Sequence, residues 1–143
     1  MSDLGLENAT LCDRYLLRGR ISSGSYAEIF LACDLADNRR EVVVKALNPH
    51  LQATTDPDLE SFLEEKFQQE ADILESLQHP NIISFIEADY DFDATGREVP
   101  FIALEYMPGG DLSQLCRSRP GYSLELGEFL AFMQQICAGC VFW

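Results

Sequence analysis

The run Val42-Val43-Val44-Lys45-Ala46-Leu47 constrains the fold more than any other part of the chain. β-branched residues in series favour a strand. Alternate side chains of a strand share a face, so Val43, Lys45 and Leu47 point one way and Val42, Val44 and Ala46 the other. Both faces are apolar except for one ammonium. An ammonium in that setting is costly to bury unless an anion meets it, either a protein carboxylate or a phosphate. The alternative is a lysine whose stem runs out along the surface to water.

A carboxylate of the matching kind lies in the next element. Asp56 as cap and Pro57 at the first helical position predict a helix running to about Leu77. Its apolar positions Leu63, Phe67, Ala71, Leu74 and Leu77 form one stripe, and Glu70 lies within it. Lys66, one turn earlier, is a possible surface partner worth a few tenths of a kcal/mol. A Lys45 to Glu70 pair instead explains two awkward residues at once.

Around these two elements the chain reads as an α+β fold. Strands are predicted over Tyr15 to Ile21, Ala27 to Asp34 and Glu41 to Leu47, forming an antiparallel meander. A polar connection, Asn48 to Asp56, leads into the long helix, which His79-Pro80-Asn81 stops. Strands over about Ile82 to Asp89 and Phe101 to Tyr106 follow, separated by a loop of turn formers from Asp91 to Glu98. The expectation is a five-stranded antiparallel sheet with one long helix. Beyond Pro108-Gly109-Gly110, Asp111 can cap a short helix to about Arg117 and Ser123 a final helix. This divides the chain into a leader (1–14), a sheet-and-helix unit (15–107) and a helical unit (108–143).

Composition narrows the function. A hydrophobic share of 47% over 143 residues fits one globular domain with a real core. The formal net charge of -14 puts a nucleic-acid backbone at a disadvantage as partner. Met1-Ser2-Asp3-Leu4 carries no basic run before an apolar stretch, and the run Ile136 to Trp143 is too short to span a bilayer. A cytoplasmic protein without a membrane segment is expected. The five cysteines, Cys12, Cys33, Cys116, Cys137 and Cys140, are odd in number and scattered, which fits buried reduced thiols. Cys137 and Cys140 have the spacing of half a metal or redox site, but no second pair or nearby His completes it, so packing in a helix is expected and no metal ligands are assigned.

The segment Ile21-Ser22-Ser23-Gly24-Ser25-Tyr26-Ala27-Glu28-Ile29 joins the first two predicted strands. Its small residues let backbone N–H groups approach phosphate oxygens closely. Taken in order, this hairpin, the Val-rich strand ending in Lys45, the helix carrying Glu70, His79-Pro80-Asn81-Ile82-Ile83 and Leu104-Glu105-Tyr106-Met107-Pro108-Gly109-Gly110-Asp111-Leu112 resemble the small lobe and hinge of Ser/Thr protein kinases. The resemblance extends from about Tyr15 to the last residue. It is nearest in pattern to the bacterial eukaryotic-like kinases, notably in Lys66-Phe67-Gln68-Gln69-Glu70-Ala71.

The resemblance implies ATP as ligand, with Mg2+ held by residues further on. Lys45 would hold the α- and β-phosphates and Glu70 would orient it. Ser22, Gly24 and Ala27 stand at the three glycine positions of the phosphate loop. Only the middle one is glycine, which implies a stiffer loop. The adenine would lie against Ile21, Ile29 and Val43, with Leu104 behind it. Backbone groups of Glu105 and Met107 would meet its edge, and Asp111 would stand near the ribose. Leu74 and Phe85 match the small-lobe half of the hydrophobic spine.

The family's His-Arg-Asp and Asp-Phe-Gly motifs, which supply the catalytic base and hold the metal, do not occur here. Asp91-Phe92-Asp93 is a near-match in the wrong place and is expected to serve its loop. The expectation is a kinase cut before its catalytic loop, inactive alone, whose protein substrate lies beyond reach of the sequence. The alternative is a non-catalytic, kinase-like binding module engaging a partner through the exposed last helix, where Leu126, Phe129, Leu130, Phe132, Met133, Ile136 and Phe142 would lack partners.

Overall fold

A computed structural model describes residues 4–48 and 56–142. Most of the predicted connection between the third strand and the helix, residues 49–55, lies outside the described residues. The elements are β1 (Thr10–Leu11), β2 (Tyr15–Ser23), β3 (Ala27–Asp34), β4 (Arg40–Leu47), α1 (Pro57–Ser76), β5 (Phe85–Phe92), β6 (Glu98–Glu105), α2 (Leu112–Arg117), a 3-10 turn (Pro120–Tyr122) and α3 (Leu126–Phe142). The chain divides into two compact units. The first joins the described part of Met1–Ser76 to Ser84–Tyr106, and the second joins Leu77–Ile83 to the segment from Met107 onward.

In the first unit the sheet has six strands in the order β1-β2-β3-β4-β6-β5, every pair antiparallel, where five were expected. The sixth is the two-residue β1, within the stretch read as a leader. Leu6 and Leu11 of that stretch are buried in the same cluster as Leu17, Phe30, Val42, Val44, Ala46, Phe101 and Ala103. The predicted alternation along β4 is met: Val42, Val44 and Ala46 face this cluster, while Val43 and Lys45 are half-buried on the other side. The Tyr15 and Phe101 rings meet edge to face at 5.6 Å, a favoured aromatic geometry.

Polar groups fasten the two ends of the sheet to each other. The Cys12 N–H donates to Asp91 at 2.6 Å, and Arg14 reaches both Asp34 and Glu87, so the β1–β2 turn meets β5 across a curled sheet. Arg14 gives Asp34 two parallel bonds of 2.9 Å, a fork that only guanidinium provides. This bonding holds the Asp34 carboxyl below its usual range against the opposing effect of burial. The Tyr15 hydroxyl donates to Glu87 at 3.0 Å, and burial first, then that carboxylate, pushes its pKa up.

α1 opens as predicted. The Asp56 carboxylate accepts the Asp58 N–H at 3.0 Å, and the acids Asp58 and Glu60 occupy the first turn, where the helix dipole favours negative charge. Leu63, Phe67, Ala71 and Leu74 are its buried residues, and Leu77 falls beyond its end at Ser76. The strand after it begins at Phe85 rather than Ile82, because Ile82 and Ile83 belong to the second unit. There His79 turns the backbone by accepting the Asn81 N–H on Nδ1 and the Ile82 N–H on its carbonyl.

The β5–β6 connection is shorter than the predicted loop from Asp91 to Glu98, since both strands run on and leave only 93–97 as the tip. The Asp93 carboxylate accepts the Thr95 hydroxyl, the Thr95 N–H and the Arg97 N–H, so it is occupied in building the turn. The Thr95 hydroxyl, more than the other donors, lowers its pKa.

In the second unit α2 has Asp111 as its cap, with a reciprocal capping box to Gln114. The predicted cap of the last helix is corrected: Ser123 follows the 3-10 turn in extended conformation, and α3 starts at Leu126. Asn81 donates to the Gln135 carbonyl at 2.8 Å, which ties the His79–Ile83 segment to α3. The reading of the cysteines as buried also needs correction, since Cys33 is buried but Cys12, Cys137 and Cys140 are exposed. For Cys137 and Cys140 the reason is that α3 presents that face to solvent. Gly139 between them is buried against Asn81, where an added Cβ would come within 3.2 Å of the Asn81 carbonyl oxygen. No helix among the described residues is long and apolar enough to cross a membrane.

Candidate functional site

Register builds the site from the sheet. Residues directly opposite each other in antiparallel strands share a face. Ile29, Lys45 and Ile102 therefore form one row across β3, β4 and β6, and Leu31, Val43 and Leu104 form the next. These are the predicted contacts Ile29, Val43, Lys45 and Leu104, with Leu31 and Ile102 added. Leu104 is buried and also faces Phe85 on β5, and Leu74 of α1 is buried in the same unit.

The ammonium in this apolar face has its anion. Lys45 Nζ donates to both carboxylate oxygens of Glu70, at 2.7 and 3.0 Å. The side chains retain 19% and 34% exposure, so the pair is neither sealed nor on open surface. The surface alternative for Glu70 is set aside, because the Lys66 ammonium lies over the Phe62 ring instead. Helix stripe and strand alternation, each legible alone, meet at this pair.

The loop between β2 and β3 lies at the end of the Ile29–Lys45 row. Ser22 pairs with Ile29 across the hairpin, and the Gly24 N–H donates to the Ala27 carbonyl at 2.8 Å to close the turn. Ile21 is exposed on β2. Sequence reasoning missed Tyr26. Its hydroxyl donates to Glu70 Oε2 at 3.4 Å, and its ring lies 5.4 Å from Lys45 Nζ, within cation–π range. The signal available was one large aromatic in a loop of Ser, Gly and Ala.

Three further predicted residues behave differently. The Glu105 N–H donates to the Ser84 carbonyl and its side chain accepts the Ser84 N–H, so a ligand contact from its backbone must come from the carbonyl. Met107 and Asp111 belong to the second unit. There Met107 is exposed, and the Asp111 carboxylate is engaged by the Gln114 N–H at 2.7 Å as the helix cap. Both line an apolar depression of about 600 Å³ within that unit, together with Ile82, Leu112, Leu115 and Phe132.

Comparison with known proteins gives the family to which the chain belongs. The family model for protein tyrosine and serine/threonine kinases matches residues 16–143, so the chain belongs to the protein kinase family. A probable serine/threonine-protein kinase of Corynebacterium efficiens is 35% identical over 113 residues, covering 79% of this chain and 16% of that protein. The tyrosine-protein kinase transforming protein Fps of avian sarcoma virus is 32% identical over 145 residues, covering 96% of this chain and 24% of that protein. The crystal structure of a mutant PknI kinase domain of Mycobacterium tuberculosis shares the fold with a TM-score of 0.67 at 21% identity, over 95% of this chain and 50% of that one. The chain thus spans less than a quarter of the length of these relatives and half of the solved domain.

Proposed function

We propose that this chain is the ATP-binding part of a protein serine/threonine kinase, an enzyme that moves the γ-phosphate of ATP to protein hydroxyls. The observation that carries the reading is the two-pronged Lys45–Glu70 ion pair on an apolar sheet face beside the hairpin of Ser22, Gly24 and Ala27. A lysine so held presents a fixed cation to phosphate oxygens, and the flanking Ile29, Val43 and Leu104 offer an apolar bed for a base. Leu104 keeps the role that the family resemblance implies, and Glu105 offers its carbonyl, since its N–H is taken by the Ser84 carbonyl.

Mg2+ neutralises phosphate charge in this family. Among the described residues no group of three or more His, Cys, Asp or Glu is arranged to hold a metal ion. The residues of this chain bind and orient, and the base that takes the substrate proton is not among them. Protein hydroxyls as substrate and a cytoplasmic location form part of the same proposal. The location is supported by five free cysteines and no disulfide among the described residues.

Calorimetric titration with Mg-ATP tests the reading. Binding is expected, and Lys45→Met should weaken it by about tenfold or more, the loss of one charge-assisted phosphate contact. Equal affinity of the two proteins would remove Lys45 from the site and the reading with it.

A further inference from the structure

Tyr26 occupies a position that nothing in the phosphate-binding reading requires. The Lys45 ammonium has three protons. Two point to the oxygens of Glu70, and a third side of the ammonium faces the Tyr26 ring at 5.4 Å. The Tyr26 hydroxyl bonds to the same carboxylate at 3.4 Å, so a single side chain touches both members of the pair. Its backbone is fixed as well, for the Tyr26 carbonyl accepts the Asn48 N–H at 2.7 Å. A π-face is a neutral group that can meet a cation where an anion otherwise would.

We propose that Tyr26 is a displaceable cap on the Lys45–Glu70 pair: its ring holds the ammonium in place of a phosphate, and a polyphosphate must move the ring aside to bind. This rests on the nucleotide-binding reading for its ligand, but the cap itself is a property of the chain alone. The ring makes Tyr26 a positioning residue, holding Lys45 toward Glu70 until an anion takes over the contact. Phosphate oxygens compete well because a charged acceptor attracts the same ammonium more strongly than a ring quadrupole does.

The sequence supplies a direct readout, because the chain has only two lysines. Lys66, exposed on α1 with its ammonium over Phe62, serves as internal reference for amine reactivity. Brief acetylation with N-hydroxysuccinimidyl acetate, followed by peptide mass spectrometry, gives the ratio of Lys45 to Lys66 modification. Tyr26→Ala should raise this ratio about threefold or more, the scale of a lost cation–π contact, while Tyr26→Phe keeps the ring and stays within about twofold of wild type. An unchanged ratio in the Ala variant overturns the cap, and an equal rise in the Phe variant overturns the role of the ring.

Titration with ATP is the second arm. Tyr26→Ala should bind roughly three to ten times more tightly than wild type, since no ring has to be displaced. Weaker binding in that variant overturns the competition. Absence of ATP binding in every protein would defeat the nucleotide reading, while the acetylation ratio still decides the cap.

Discussion

The two units of the chain treat apolar surface in opposite ways. In the sheet unit Leu17, Phe30, Val42, Val44, Phe101 and Ala103 are sealed to 1% exposure or less. In the helical unit Leu126 stands 72% exposed, and Phe129, Leu130, Met133 and Ile136 are exposed along the same helix. Polar groups follow the same division. The sheet unit encloses Asp34 and Glu28, each met by a guanidinium, whereas the capping bonds of α2 lie at the surface. A curled sheet closed by its own turns saturates itself, while α3 leaves a set of large apolar side chains uncovered. The difference teaches where the chain's stability resides and where it does not.

The largest test of this contrast is Phe101→Ala against Leu130→Ala. Removing a fully buried ring that also meets the Tyr15 ring edge to face should cost about 3–5 kcal/mol. Removing an exposed leucine from α3 should stay within about 0.5 kcal/mol. Urea unfolding followed by far-ultraviolet circular dichroism reads both. A comparable loss at Leu130 would break the contrast, because it would mean that α3 is packed in solution.

The part of this contrast that can be read from sequence is the part governed by short-range periodicity. Alternation in Val42 to Leu47 places Lys45 on its face, and the stripe from Leu63 to Leu74 places Glu70 on the buried side of α1; the pairing follows from the need of each for a partner. What is not legible depends on distant contacts. β1 is two residues long, and Cys12 and Asp13 beside it have positive φ, so no local propensity announces it; Leu6 and Leu11 become core only because the sheet curls. The same holds for Tyr26, whose role depends on the hairpin reaching Glu70, 44 positions away. The cysteines of α3 depart from expectation for a simpler reason: an apolar helix need not be a buried one.

A smaller effect is expected at the fork that holds the sheet's ends. Asp34 is 2% exposed, while its partner Arg14 keeps 32% exposure. Asp34→Ala should therefore cost about 2–3 kcal/mol, between the value of a surface pair and that of a sealed one. The pH dependence has a definite sign. The folded carboxyl is depressed below its ordinary value, chiefly by the bond from Arg14. Its stabilisation is thus fully present above the unfolded value of about 3.9 and drains away as pH falls through the lower folded value. Denaturation series from about pH 6 downward should show the wild type losing its advantage over Asp34→Ala below about pH 4. A difference that persists undiminished into stronger acid would show that the charge is not what Asp34 contributes.

The smallest effect sharpens the boundary between the units. Gly110 has φ +76, and an added Cβ would lie 2.1 Å from Gln114 Oε1. Gly110→Ala therefore imposes a left-handed conformation on a residue with a side chain, at a cost of about 1–2 kcal/mol. It also pushes Gln114 off the Asp111 N–H, which it now accepts at 2.9 Å, while the Asp111 carboxylate keeps its bond to the Gln114 N–H. Half the capping box is lost and half remains, so α2 should fray without vanishing. Amide hydrogen exchange should quicken over Leu112 to Cys116 and stay unchanged along β4, because the substitution touches no residue of the sheet. Faster exchange in β4 as well would mean that the two units open together, and the sheet would then owe part of its stability to the helices that follow it.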